Sequence, residues 1–264
     1  MNDLERVALL ERINYLTLEP VAAVTPGVEI ILREDVILSS STMYPTPEAN
    51  HACLLRTAPH KAEGLIDEIV AYFETRSMPP VIMLSPACQP ADLPQRLLAR
   101  GFQKQEPEET WVVMEDLQQR KAPKVEANIK VRQIDRAEAP LFAQVMTAAY
   151  EMPPEYADAL AALLAPSIGL PGVTHFLAFS GDKAIATLSL MRWQDYVTMG
   201  SAGVLPEYRR GLPILAMAVE VLTEAQRQGV KTVLGQTVLG PLFERFLRFC
   251  GFSYAFKRVP YIRI

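Results

Sequence analysis

One run of elements, readable from apolar spacing and chain breakers, occurs twice in this sequence. In the C-terminal half Leu215, Ala218, Val219, Leu222 and Ala225 share a stripe at helical spacing, and Gly229 ends that helix. Lys231 to Gly235 then reads as a strand. Pro241 opens a short helix with Leu242, Phe243, Phe246, Leu247 and Cys250 inward, and Gly251-Phe252 breaks it before a closing strand at Val259 to Ile264. The N-terminal half follows the same course. Ala62 to Thr75 is predicted as a helix, Val81 to Leu84 as a strand, and Pro94 to Ala99 as a short helix. Trp111 to Leu117 is a strand after Gly101-Phe102. Gly101 stands as far from Val112 as Gly251 does from Ile262. This points to an internal duplication. The lobes are residues 1–125 and 126–264, joined through the polar, proline-broken stretch between Gln118 and Asn128.

Other elements complete the expected lobes. Met1 to Asn14 mixes acids and arginines with leucines, the pattern of an amphipathic helix rather than a signal peptide or membrane span. His51 to Arg56 is strand-like. The second lobe begins with a strand at Ile129 to Arg132, then a helix opened by Pro140 and another at Glu155 to Leu164. A hairpin follows from Phe176 to Leu190, turning at Ser180-Gly181-Asp182, and Tyr196 to Val204 is a strand. The expected class is therefore α/β (α+β), with each lobe a mixed, mostly antiparallel sheet flanked by helices. A net charge of -4 gives no global support for nucleic-acid binding. Cys53, Cys88 and Cys250 stand too far apart to form a metal-ligand pattern, so no metal is expected; reduced thiols fit a cytoplasmic protein.

The order of elements in the second lobe resembles the GNAT superfamily of acyl-CoA-dependent N-acyltransferases. The stretch Val204 to Leu215, VLPEYRRGLPIL, looks like that family's cofactor loop, and FLRFCGF, Phe246 to Phe252, like its last helix and Gly-Phe break. The first lobe looks like a degenerate copy; TAPHKA, after Arg56, has no glycine-rich turn. The resemblance implies acetyl-CoA as cosubstrate, with Arg209, Arg210, Gly211 and Leu212 at its diphosphate and main-chain groups of Ala202 and Val204 along the pantetheine arm. A strand that ends at Val204 and a helix starting near Gly211 leave unpaired N–H groups at the positive end of the helix dipole, which suits an anion.

Two positions depart from the family's pattern. Pro213 replaces a small residue and removes an N–H donor, and Leu247 stands where many members carry a tyrosine that protonates the leaving thiolate. Candidate acid–base residues are therefore Glu151, Tyr254 and Cys250, with Glu155, Asp195 and His175 as further candidate bases. The acceptor implied is an amine, on a small molecule or a peptide, entering between Tyr150 and Val173. Neither nucleic acid nor membrane is an expected partner, and a homodimer is open. The alternative is a catalytically impaired acyl-CoA-binding or protein-interaction module on the same fold.

Overall fold

Asn2 caps the first helix, its side chain accepting the Glu5 N–H at 2.8 Å, and from there the chain can be followed in the computed structural model. Residues 2–44, 46–121, 128–209, 212–238 and 240–264 are described. Helix α1 (Asp3–Val24) runs ten residues beyond the expected Asn14, continuing through Pro20. A hairpin of β1 (Val28–Leu32) and β2 (Ile37–Ser41) leads to β3 (His51–Cys53), then α2 (Ala62–Glu74), β4 (Val81–Leu84) and α3 (Leu93–Ala99). The two-residue β5 (Gln103–Lys104) precedes β6 (Glu109–Met114).

After the linker come β7 (Ile129–Gln133), α4 (Ala139–Ala149) and α5 (Tyr156–Leu164). The long hairpin β8 (Val173–Ser180) and β9 (Lys183–Trp193) is followed by β10 (Tyr196–Val204) and α6 (Leu212–Arg227). The chain closes with β11 (Thr232–Thr237), α7 (Pro241–Phe249) and β12 (Ser253–Ile262). The closing strand was expected from Val259; it begins six residues earlier, immediately after Gly251-Phe252. Gly229 and Gly251 both lie at positive φ, +76° and +98°, the left-handed conformation in which a helix stops with least strain.

The strands join in one sheet, and its order shows how the halves are tied. It runs β1-β2-β3-β4-β12-β6-β11-β10-β9-β8-β7, with β5 also on β12. Strand β6, from before the linker, lies between β11 and β12, both from after it. The far end of β12, Val259–Ile262, in turn pairs with β4 of the N-terminal half. Each half therefore lends its last strand to the other. All six residues of β6 are buried, as expected of a strand covered on both faces.

Three packed clusters follow from this exchange. One gathers α4, α6 and the C-terminal strands around Phe142, Phe176 and Val221, and takes in Val112 and Met114 from β6. A second surrounds α2 and includes Tyr261 from β12. The third lies beneath α1, where Ile13 and Tyr15 meet Trp111, Val113, Leu234 and Phe256. Trp111 and Phe256 stack with ring centroids 5.2 Å apart.

Within that last cluster Arg258 is 2% exposed and gives Nε and Nη2 to Glu109 Oε2, at 2.8 and 2.7 Å. Glu109 also accepts Trp111 Nε1, at 3.3 Å. Breaking a buried pair leaves one charge without compensation, at a cost of about 3–5 kcal/mol. Arg258→Met is therefore expected to lose about that much stability in urea unfolding, and Arg258→Met with Glu109→Gln to recover part of it. A double variant no more stable than the single one would show that the pair is not the source of the loss.

Candidate active site

Strand β10 carries the local irregularity from which the site is built. Its pairing with β9 is regular from Tyr196 to Gly200, breaks, and resumes at Gly203 opposite Thr187. Ser201, inside this bulge, has φ +50°. Its carbonyl accepts the Thr187 hydroxyl at 2.7 Å, and the Ala202 carbonyl accepts the Tyr150 hydroxyl at 2.9 Å. Gly203 permits the close approach behind this: a Cβ there would lie 2.8 Å from the Cβ of Ala149. On its other edge β10 pairs in parallel with β11 only from Tyr196 to Thr198, although both strands continue beyond. A fork opens beside the bulge, and Ser201 and Ala202 have no ladder partner on either side.

Next to the fork is a cavity of about 320 Å³, at the small end of the range for ligand pockets. Gly200, Ser201 and Gln236 border it at the fork, Phe142, Met146 and Leu160 form an apolar wall from α4 and α5, and α1 covers it with Asn14, Leu18 and Val21. Both halves of the chain therefore contribute to one chamber.

Its polar floor is a chain of hydrogen bonds. Arg258 Nη1 donates to Tyr15 Oη at 2.7 Å, and Tyr15 Oη is 2.5 Å from His51 Nε2. His51 Nδ1 is 2.9 Å from the Pro47 carbonyl, which can only accept; Nδ1 therefore carries the proton and Nε2 accepts from Tyr15. Desolvation, assisted by Arg258, holds the His51 pKa down to about 4. Burial alone would push the Glu109 carboxyl up, but the Arg258 guanidinium outweighs it and the group is held below its ordinary value. Glu11, whose carboxylate is 3.6 Å from Arg258 and lacks a hydrogen-bond partner among the described residues, is pushed up by burial.

His175 lines the same cavity. Ser167 spends its own proton on the Leu164 carbonyl, so His175 Nε2 donates to Ser167 at 3.0 Å and Nδ1 accepts from Ser189 at 2.7 Å. Burial holds this imidazole down to about 4 as well.

The residues singled out from sequence are dispersed. Arg209 is committed to the protein itself: it donates to the carbonyls of Ala149 and Val204 at 2.6 and 3.3 Å and pairs with Glu151 at 2.8 Å. Ala202 and Val204 lie on the fork edge of β10, and α6 starts at Leu212; Arg210 and Gly211 lie outside the described residues. Glu151, Tyr254 and Cys250 do not border the cavity. Tyr254 is 57% exposed on β12, and Cys250, packed partly against the core, has its thiol pushed up to about 11 by burial. Asp195 pairs with Lys231, and Leu247 is buried. Asn14, Tyr15, His51 and Arg258 were not anticipated as site residues. Their positions carry no local motif, and only the tertiary fold brings them together.

The two histidines make a pH prediction. A native pKa near 4 against about 6.5 in the unfolded chain means the unfolded state binds more protons between those values. Stability should be complete above pH 6.5 and fall toward pH 4, by about 3 kcal/mol per histidine at pH 4. His175→Asn is expected to flatten the stability curve over that window; an unchanged slope in urea melts from pH 7 to 4 would refute it.

No family model matches this sequence, and no curated protein matches it. Solved structures do. A GCN5-related N-acetyltransferase from Kribbella flavida superposes with a TM-score of 0.70 at 14% identity, over 96% of this chain and 95% of that one. One from Sphaerobacter thermophilus gives 0.62 at 14% identity, over 97% and 91%. A tandem GNAT protein from the clavulanic acid biosynthesis pathway gives 0.59 at 15% identity, over 95% and 86%. By the path of its chain and the order of its sheet, this protein has the GNAT fold.

Proposed function

We propose that the protein is an N-acetyltransferase that moves an acetyl group from acetyl-CoA to a primary amine, in the cytoplasm, with lobes of residues 1–125 and 126–264. The observation that carries this reading is the fork between β10 and β11, which opens beside the bulge and the cavity. An extended pantetheine arm fits between two parted strand edges, because such edges leave main-chain donors and acceptors unpaired. The Ser201 and Ala202 N–H groups, without ladder partners, are the donors assigned to the thioester carbonyl. The start of α6 at Leu212 is the place assigned to the diphosphate, with Arg210 and Gly211 beside it. Arg209 holds that loop against the end of α4.

When bound, acetyl-CoA supplies an activated acyl thioester. The amine nitrogen forms the new C–N bond as the C–S bond breaks, and the proton shed by nitrogen is balanced by the one gained at sulfur. The chain's part is chiefly to hold a neutral amine against the carbonyl in a chamber that limits water, an effect of large magnitude without a dedicated base. Glu151, Tyr254 and Cys250, the acid–base candidates from sequence, do not border the cavity, and no step is assigned to them.

A second reading, an acyl-CoA-binding or interaction module without turnover, is favoured by Leu247, which is buried core where many relatives carry tyrosine, and by Pro213 in the first turn of α6. Titration calorimetry of acetyl-CoA into the protein, with Arg210→Glu alongside, tests the common premise. Micromolar binding that weakens at least roughly tenfold in the variant is expected from loss of a charge-assisted contact. Absence of heat up to millimolar ligand would remove acyl transfer and acyl-CoA binding alike and leave the interaction module.

A further inference from the structure

The cavity also carries information about what enters it. Asn14, on α1, is 7% exposed and borders the cavity, yet its carboxamide has no hydrogen-bond partner among the described residues. The amide is not among the fully buried, unpartnered polar atoms of the described residues, so it stays within reach of the cavity it borders. A partner that arrives from the cavity would satisfy it, and a carboxamide can both donate and accept.

The charges bordering the cavity are equally specific. Arg258 is neutralised by Glu109, and His51 and His175 are both held neutral by burial. Glu48, an exposed residue, is the remaining charged side chain on the border, and no ion pair of the described residues includes it. It belongs to the loop that enters β3. Tyr44 of that loop reaches the Met152 sulfur at 3.5 Å, two residues from the Tyr150 that holds the bulge. Glu48 borders the same cavity as Gly200 and Ser201 of the bulge. Elsewhere the walls are apolar and methionine-rich, with Phe142, Met146, Leu160, Leu164 and Met191. Such walls adapt to an apolar body but offer nothing to a second ammonium.

We infer that the acceptor is a compact, apolar monoamine carrying one neutral hydrogen-bonding group. Glu48 takes its single ammonium before proton loss, the apolar wall takes its body, and Asn14 takes the neutral group. This rests on the acyl-transfer reading for the bulge end of the cavity, and it assigns an acceptor-binding part to a helix from the N-terminal half. Polyamines and aminoglycosides are disfavoured, since one unpaired carboxylate beside an otherwise apolar wall does not match their several ammonium groups, and a lysine side chain carries no neutral hydrogen-bonding group for Asn14.

The test uses the full chain and four probes: tyramine, phenethylamine, spermidine and a lysine-containing peptide. Each is titrated by calorimetry without acetyl-CoA, then offered with acetyl-CoA while free thiol is measured. Tyramine is expected to bind most tightly and to be turned over. Glu48→Gln, at an exposed position, should weaken both monoamines roughly tenfold or more. Asn14→Leu, checked for folding by circular dichroism, should weaken tyramine to the level of phenethylamine and leave phenethylamine unchanged. Acetyl-CoA affinity should be the same in both variants. Tighter binding of spermidine or peptide, no monoamine binding to millimolar concentration, or monoamine binding indifferent to both substitutions would each overturn the inference. Failure of acetyl-CoA to bind would instead overturn the acyl-transfer reading, while the amine titrations would still decide the ligand class.

Discussion

A guanidinium and a carboxylate buried at the centre of the sheet set the terms for the structure around them. Arg258 and Glu109 stand directly opposite in the pairing of β12 with β6, the two strands that cross between the halves. Neither charge could remain there alone, because desolvation would cost several kcal/mol per ion. Together they specify one alignment of the crossed strands, since sliding by a residue would carry one partner to the other face of the sheet. The same guanidinium also lies over the Trp111 ring, with 4.9 Å to the centroid, and donates to Tyr15 of α1. The ion pair thus fixes both the seam and the helix laid across it.

That arrangement explains why the chamber forms where it does. Helix α1 is held by Tyr15 below and by Thr17, whose hydroxyl meets Thr198 of β10 at 3.0 Å. It therefore spans the seam and covers β10 next to the bulge. The bulge in turn owes its shape to small residues and to two side-chain hydroxyls that capture its carbonyls, from Thr187 and Tyr150. Structural and functional demands meet on β10, where the backbone departs from the ladder because other groups take over its hydrogen bonds.

The sequence was informative where local pattern decides the outcome. Strands Val81–Leu84 and Tyr196–Val204 match their expected bounds, and Pro140 and Pro241 open helices as their missing N–H allows. Elsewhere, tertiary contacts override the local signal. The hairpin of β1 and β2 was not anticipated, as ILSSS has the composition of a loop and becomes a strand between β1 and β3. Pro20 argues for a helix end, yet α1 continues through it. The crossing of β6 and β12 is invisible to periodicity, because each strand has the same apolar alternation whichever neighbour it pairs with. The end of β10 at Val204 and the start of α6 next to Gly211 were legible from local pattern. The place of Asn14 and Glu48 at the cavity was not, since an asparagine in a helix and a glutamate in a loop are ordinary until the fold brings them to one border.

The crossed strands also bear on how the protein comes into being. The sheet of the N-terminal half has a gap beside β4 that is filled by Val259–Ile262, from well after the linker. Halves that each kept their own last strand could mature one after the other during synthesis, as successive domains ordinarily do. Here the earlier half must wait with an open strand edge, a hazard for mispairing with other chains, until β12 has been made. Its maturation therefore depends on the later half even though its own sequence emerges first.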